Sequence, residues 1–84
     1  MKKNILITGG SGFIGSHVVD ALVKNKYKVK ILDLNQPKRK DVKFIKGSIL
    51  DKSIIRSALK NINIIFHLAA VSDIFINKNY ILIV

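Results

Sequence analysis

The order of residues predicts an α/β fold, with part of a doubly wound parallel sheet in strand order 3-2-1-4 and helices on both faces. Three observations predict it. Short β-branched apolar runs alternate with segments of helical periodicity. The runs are close to continuous rather than alternating, as in strands buried on both sides. A glycine-rich turn, Thr8-Gly9-Gly10-Ser11-Gly12-Phe13-Ile14-Gly15, joins the first run to the first helix. Right-handed crossovers between parallel strands then set the order.

Residues 4–8 read as a buried strand. Residues 12–25 read as a helix whose apolar stripe is Ile14, Val18, Leu22 and Ala21, with Lys24 and Lys26 complementing the dipole at its end. Residues 27–32 form a second strand that ends at Asp33. Residues 35–41, with Pro37, Lys38, Arg39 and Lys40, are expected to be a solvated loop. Residues 42–45 form a third strand closed by Gly47. A short helix over 51–60 offers Ile54, Ile55, Ala58 and Leu59 for burial, and Asp51 stands where an N-cap is needed. Residues 62–68 form a fourth strand. It reads as an interior strand, yet this order leaves it at an edge, where an unpaired apolar strand offers a surface for self-association. Residues 69–84 carry no single pattern.

The 84 residues suffice for one small domain that buries about 60% of its unfolded surface. With 49% hydrophobic residues it is not a disordered tail. Absence of cysteine excludes disulfides and thiolate metal sites and fits a reducing cytoplasm. No run is long enough for a secretory leader or a membrane span, so a cytoplasmic protein without a membrane partner is expected. The net charge of +10 is spread over scattered lysines. Only Arg39 and Arg56 are arginines, and only Lys38-Arg39-Lys40 is a compact cluster, so nucleic acid is not the expected partner.

The glycine turn is the strongest chemical signal. Its spacing satisfies G-x-G-x-x-G between a strand and a helix, the context in which backbone amides and the helix dipole meet a dinucleotide pyrophosphate. Asp33 ends the next strand, where a carboxylate accepts from adenosine ribose hydroxyls and repels a 2′-phosphate, favouring NAD over NADP. A lone His67 at the end of a buried strand reads as a core residue, and no metal site is expected.

Three blocks in order make the chain resemble the extended short-chain dehydrogenase/reductase family, the NAD-dependent sugar-nucleotide epimerases and dehydratases. They are the glycine turn, Val29-Lys30-Ile31-Leu32-Asp33 and Ile64-Ile65-Phe66-His67-Leu68-Ala69-Ala70. The resemblance covers about residues 1–75. It implies NAD as cofactor, with Gly9, Gly12, Phe13, Ile14 and Gly15 forming the pyrophosphate turn and Asp33 holding the ribose beside Leu34 and Asn35. Ser48 and Ile49 would line the adenine pocket, although the family usually has aspartate where Ser48 stands. Leu68, Ala69 and Ala70 would pass the middle of the cofactor, with Ser72 just beyond.

The family's chemistry needs a tyrosine four residues before a lysine. Tyr27 is followed at that spacing by Ile31 and Tyr80 by Val84, so no catalytic residue is assigned. The expectation is an N-terminal half of an NAD-binding Rossmann domain over 1–73, binding the ADP part of the dinucleotide without turnover. Residues 74–84 are expected to diverge, as a truncated or frameshifted coding sequence would. Two other classes stay open on the residues alone: a non-catalytic nucleotide-sensing or interaction module, and a small basic nucleic-acid binder.

Overall fold

The computed structural model describes residues 3–69 and 81–83. The elements run β1(Asn4–Thr8), α1(Phe13–Lys24), β2(Lys28–Asp33), β3(Lys43–Lys46), α2(Lys52–Ala58), β4(Ile64–His67) and β5(Ile81–Ile83). One parallel sheet joins them in the order β3-β2-β1-β4-β5. The predicted order 3-2-1-4 is therefore present, but β4 is not an edge. Ile64, Ile65 and Phe66 pair with Ile81, Leu82 and Ile83, so the side of β4 expected to be open carries another strand. An apolar run such as residues 62–68 belongs in the interior of a parallel sheet, and β5 puts it there.

Strand alternation sorts the core into two layers. On one face Leu6, Leu32 and Ile65 pack against Ile55, Ala58 and Leu59 of the α2 region. On the other, Ile5, Ile7, Val29 and Ile31 pack against Val19, with Val18, Leu22 and Val23 partly buried. Helices thus cover both faces. Among the described residues no helix is long and apolar enough to cross a membrane.

The two helix ends near the base of the sheet are closed differently, α1 by its own backbone and α2 with help from β2. The Lys26 N–H donates to Val23 O and the Tyr27 N–H to Leu22 O, a Schellman pair that ends α1 with Lys26 at φ 70. At the end of α2, Lys30 Nζ reaches across from β2 and donates to Ala58 O at 3.2 Å and Lys60 O at 3.3 Å. Partial burial, then Lys43 and Lys60, push the Lys30 ammonium below the usual lysine range.

Of the apolar stripe predicted for α1, Val18 and Leu22 pack against the core and Ile14 and Ala21 do not. Ile14 is 67% exposed and Ala21 is exposed, while Gly15 and Val19 are buried. The cause is the turn. A Cβ on Gly15 would stand 2.1 Å from Gly9 O, so the helix lays its glycine against the turn. One residue is about 100° around a helix, so choosing Gly15 carries Ile14 outward.

Candidate functional site

The C-terminal ends of β1, β2 and β4 meet at the glycine turn. Gly9 adopts φ +76, and its N–H donates to Leu32 O at 3.0 Å. A side chain there would be strained and would also press on the backbone of Leu68 and Ala69, its Cβ 2.9 Å from Ala69 N. The Gly12 N–H donates to Gly9 O at 3.2 Å, which folds the turn under the start of α1. Gly12 itself faces outward in an extended conformation, and a Cβ there would meet only Gly9 O at 3.4 Å.

Gly12 is the N-cap of α1, and among the described residues no side chain caps this end. Its first turn holds no acidic residue. The amides of Phe13, Ile14 and Gly15 precede the first in-helix bond, from the Ser16 N–H to Gly12 O at 2.8 Å. They belong to the donors that a helix start leaves without an intrahelical acceptor, and they carry the positive end of the dipole. The Phe13 and Ile14 side chains stand exposed at 82% and 67%, beside the helix start rather than over the core.

Asp33 is tied to this corner. Its Oδ2 accepts from the Ser11 N–H at 3.0 Å and its Oδ1 from the Asn35 N–H at 2.9 Å. A carboxylate has about four acceptor directions, so these two bonds orient it without exhausting it. Leu34, the next residue, is exposed. The Ser11 hydroxyl is buried and has no hydrogen-bond partner among the described residues. Ser11 lines a cavity of about 410 Å³ between residues 10–13 and the loop over 36–39. Ser11 was not singled out from the sequence. Its place between Gly10 and Gly12 was the available signal, but only the fold shows that its amide anchors Asp33 and that its hydroxyl is left over.

The loop over 35–41 is largely exposed, as expected, but Arg39 within it is paired. Arg39 donates from Nε and Nη2 to the two oxygens of Asp41, at 2.6 and 2.9 Å, and from Nη1 to Asp20 on α1 at 2.6 Å. The hydrogen bond to Asp41, with that to Asp20, holds the guanidinium above its ordinary range, and Arg39 holds the Asp41 carboxyl below the usual carboxylate range. Lys38 and Lys40 are the solvated members of the cluster.

The other predicted residues divide. Leu68 and Ala69 lie against the turn, with the Leu68 N–H donating to Thr8 O at 3.0 Å and the Ala69 N–H to Thr8 Oγ1 at 3.4 Å. Ala70 and Ser72 fall outside the described residues. Ser48 and Ile49 follow β3, two strands from β1. The Ser48 Oγ accepts from the Leu50 N–H at 3.0 Å, so it serves its own loop, while Ile49 packs against the α2-side core. His67 is buried, with Nδ1 2.6 Å from Thr8 Oγ1, a link between β4 and β1 inside the core.

The sequence model of the NAD dependent epimerase/dehydratase family matches residues 5–82. A UDP-N-acetyl-alpha-D-glucosaminuronate decarboxylase of Bacillus cytotoxicus is 39% identical over 79 residues, 84% of this chain and 25% of that protein. A short-chain dehydrogenase/reductase superfamily protein from Agrobacterium tumefaciens, solved with bound NAD, superimposes with TM-score 0.73 at 30% identity, over 83% of this chain and 21% of that one. The UDP-glucose 4-epimerase of Thermotoga maritima, solved with UDP-glucose, gives TM-score 0.73 at 41% identity, over 82% of this chain and 25% of that one. The chain spans about a quarter of the length of the curated relatives it matches. It belongs to the NAD dependent epimerase/dehydratase family.

Proposed function

We propose that the β1–α1 corner binds the diphosphate of NAD and that the chain is the ADP-binding part of a sugar-nucleotide epimerase or dehydratase. The observation that carries this is the open start of α1 beside a buried Ser11 hydroxyl with no partner among the described residues. A diphosphate would accept from the amides of Phe13, Ile14 and Gly15, and the Ser11 hydroxyl would gain a partner. Open space outside Gly12 suits a close approach of the ligand to the backbone. Asp33, held in place by Ser11 and Asn35, keeps acceptor capacity for the adenosine ribose hydroxyls. Leu68 and Ala69 would pass the centre of the dinucleotide, with Ser48 and Ile49 toward the base.

NAD supplies hydride chemistry when bound, and a nucleotide-linked sugar is the substrate class suggested by the relatives. The Tyr-x-x-x-Lys pair that such chemistry needs has no match in the sequence, so this chain alone is expected to bind without turnover. A cytoplasmic location goes with this reading.

Calorimetric titration with NAD and with ADP-ribose tests it, repeated on Gly12→Val. The unsubstituted chain is expected to bind both ligands weakly and with similar constants. The valine Cβ stands in the ligand's approach, so binding should fall at least about tenfold. Equal heats for the two proteins would remove the proposal.

A further inference from the structure

Arg39 stands on the wall of the same cavity as Ser11. The Ser11 amide is in turn hydrogen-bonded to Asp33 at 3.0 Å. A guanidinium in that neighbourhood is the group a ribose 2′-phosphate would seek, because its planar fork matches phosphate oxygens. In this chain the fork is already filled. Asp41 takes two of its N–H groups and Asp20 a third. The Arg39 side chain is only 28% exposed, while Asp20 and Asp41 are 65% and 56% exposed, so the carboxylates lie on the outside of the trio. Two carboxylates against one guanidinium leave the cluster net negative. A dianionic phosphate arriving there meets repulsion from the trio and from Asp33, and Lys38, exposed on the same cavity wall, is a cation left to offset it.

We infer that Asp20 and Asp41 are specificity-determining residues, which by occupying Arg39 withhold it from a ribose 2′-phosphate and bias the site toward the unphosphorylated dinucleotide. The inference rests on the nucleotide-binding reading above. Asp33 alone explains a preference for NAD by repulsion. The trio adds a second, separable cause, located on α1 and at the far end of the loop. The same pairing fastens that loop to α1, so the contacts that occupy the Arg39 donors also shape the cavity wall.

The test is calorimetric titration of the 84-residue chain with NAD and with NADP. It is repeated on the double variant Asp20→Asn/Asp41→Asn and on that variant carrying Arg39→Gln. In the double variant, the affinity for NADP relative to NAD should rise about tenfold, with NAD changed less than about threefold. Adding Arg39→Gln should erase the gain. An unmoved ratio in the double variant, with NAD still bound, overturns the inference and leaves the nucleotide-binding reading standing. A gain that survives Arg39→Gln also overturns it, because loss of negative charge would then be the whole cause. Absence of any heat with the unsubstituted chain overturns the nucleotide-binding reading and this inference with it. Should the double variant fail to fold, Asp20→Asn alone, an exposed change on α1, should move the ratio about threefold in the same direction, and no movement overturns the inference.

Discussion

The two helices start at the same end of the sheet, yet their first turns are finished in opposite ways. The start of α2 is closed by its own sequence: Asp51 accepts from the Ser53 N–H at 3.0 Å and the Ile54 N–H at 3.3 Å. The start of α1 has Gly12 in the same position and no side-chain cap. With glycine there, the start of α1 forgoes a few tenths of a kcal/mol of the stabilisation a capping side chain provides. At α2 the cap is retained, beside a loop in which Ser48 also bonds its own backbone. At α1 it is given up where Asp33, Ser11 and a cavity converge. The difference separates a helix start that completes the fold from one left to complete a ligand.

The contrast is broken most severely by Gly15→Ala. Its Cβ would stand 2.1 Å from Gly9 O, a backbone atom that cannot step aside alone. Overpacking at such a contact should cost about 3 kcal/mol or more, read as a fall in the denaturation midpoint, with nucleotide binding lost as the turn shifts. An unchanged midpoint would mean that the turn does not set the facing of α1.

Gly12→Asp sharpens the contrast by giving α1 the kind of cap α2 has. Stability should rise by about 0.5 kcal/mol, since aspartate exceeds glycine as a cap by only a few tenths and its charge favours the dipole. Binding of NAD should fall at least about tenfold, because the carboxylate occupies the amides and repels the diphosphate. Retained affinity in calorimetry would show that those amides are not the anion site.

Asp51→Ala is the counterpart. It should cost about 1 kcal/mol in chemical denaturation and leave the NAD constant unchanged after correction for the folded fraction. A direct loss of affinity in the folded protein would show that α2 contributes more than structure.

The smallest effect concerns acid. The Asp41 carboxyl lies below its ordinary value of 3.8 in the folded chain because Arg39 donates to it. Its contribution is complete above that value and is lost as the pH falls through the folded-state pKa. Carboxyl-carbon NMR should show Asp41 titrating below 3.8, and Arg39→Met should bring its titration back toward that value. A titration unmoved by Arg39→Met would mean the pair is not formed in solution.

Several of these features were legible in the residues. Glycines between a strand and a helix placed the turn, Asp51 announced its cap, and Asp33 stood at the end of its strand. Local rules suffice for each, because a turn, a cap and a buried strand are decided by neighbours within a few positions. Ile14 was misplaced for the opposite reason. Helical spacing admits more than one apolar stripe, and the close approach of Gly15 to Gly9, which no periodicity records, selected the stripe through Val19. Arg39 read as part of a basic loop because one of its partners, Asp20, lies on another element. The strand at 81–83 could not be read from so short a run, since a parallel partner has to be found across the sheet.

The sequence by itself determined the parallel α/β layering, the glycine turn and the acidic residue placed to meet it, because burial patterns and backbone sterics act over short distances. Tertiary structure alone decided which side of α1 is buried, which partner each oxygen of Asp33 takes, that the Ser11 hydroxyl has no partner among the described residues, and that Arg39 is bound by two carboxylates. Those outcomes depend on where distant segments come to lie, and only the closed fold brings their atoms within hydrogen-bonding range.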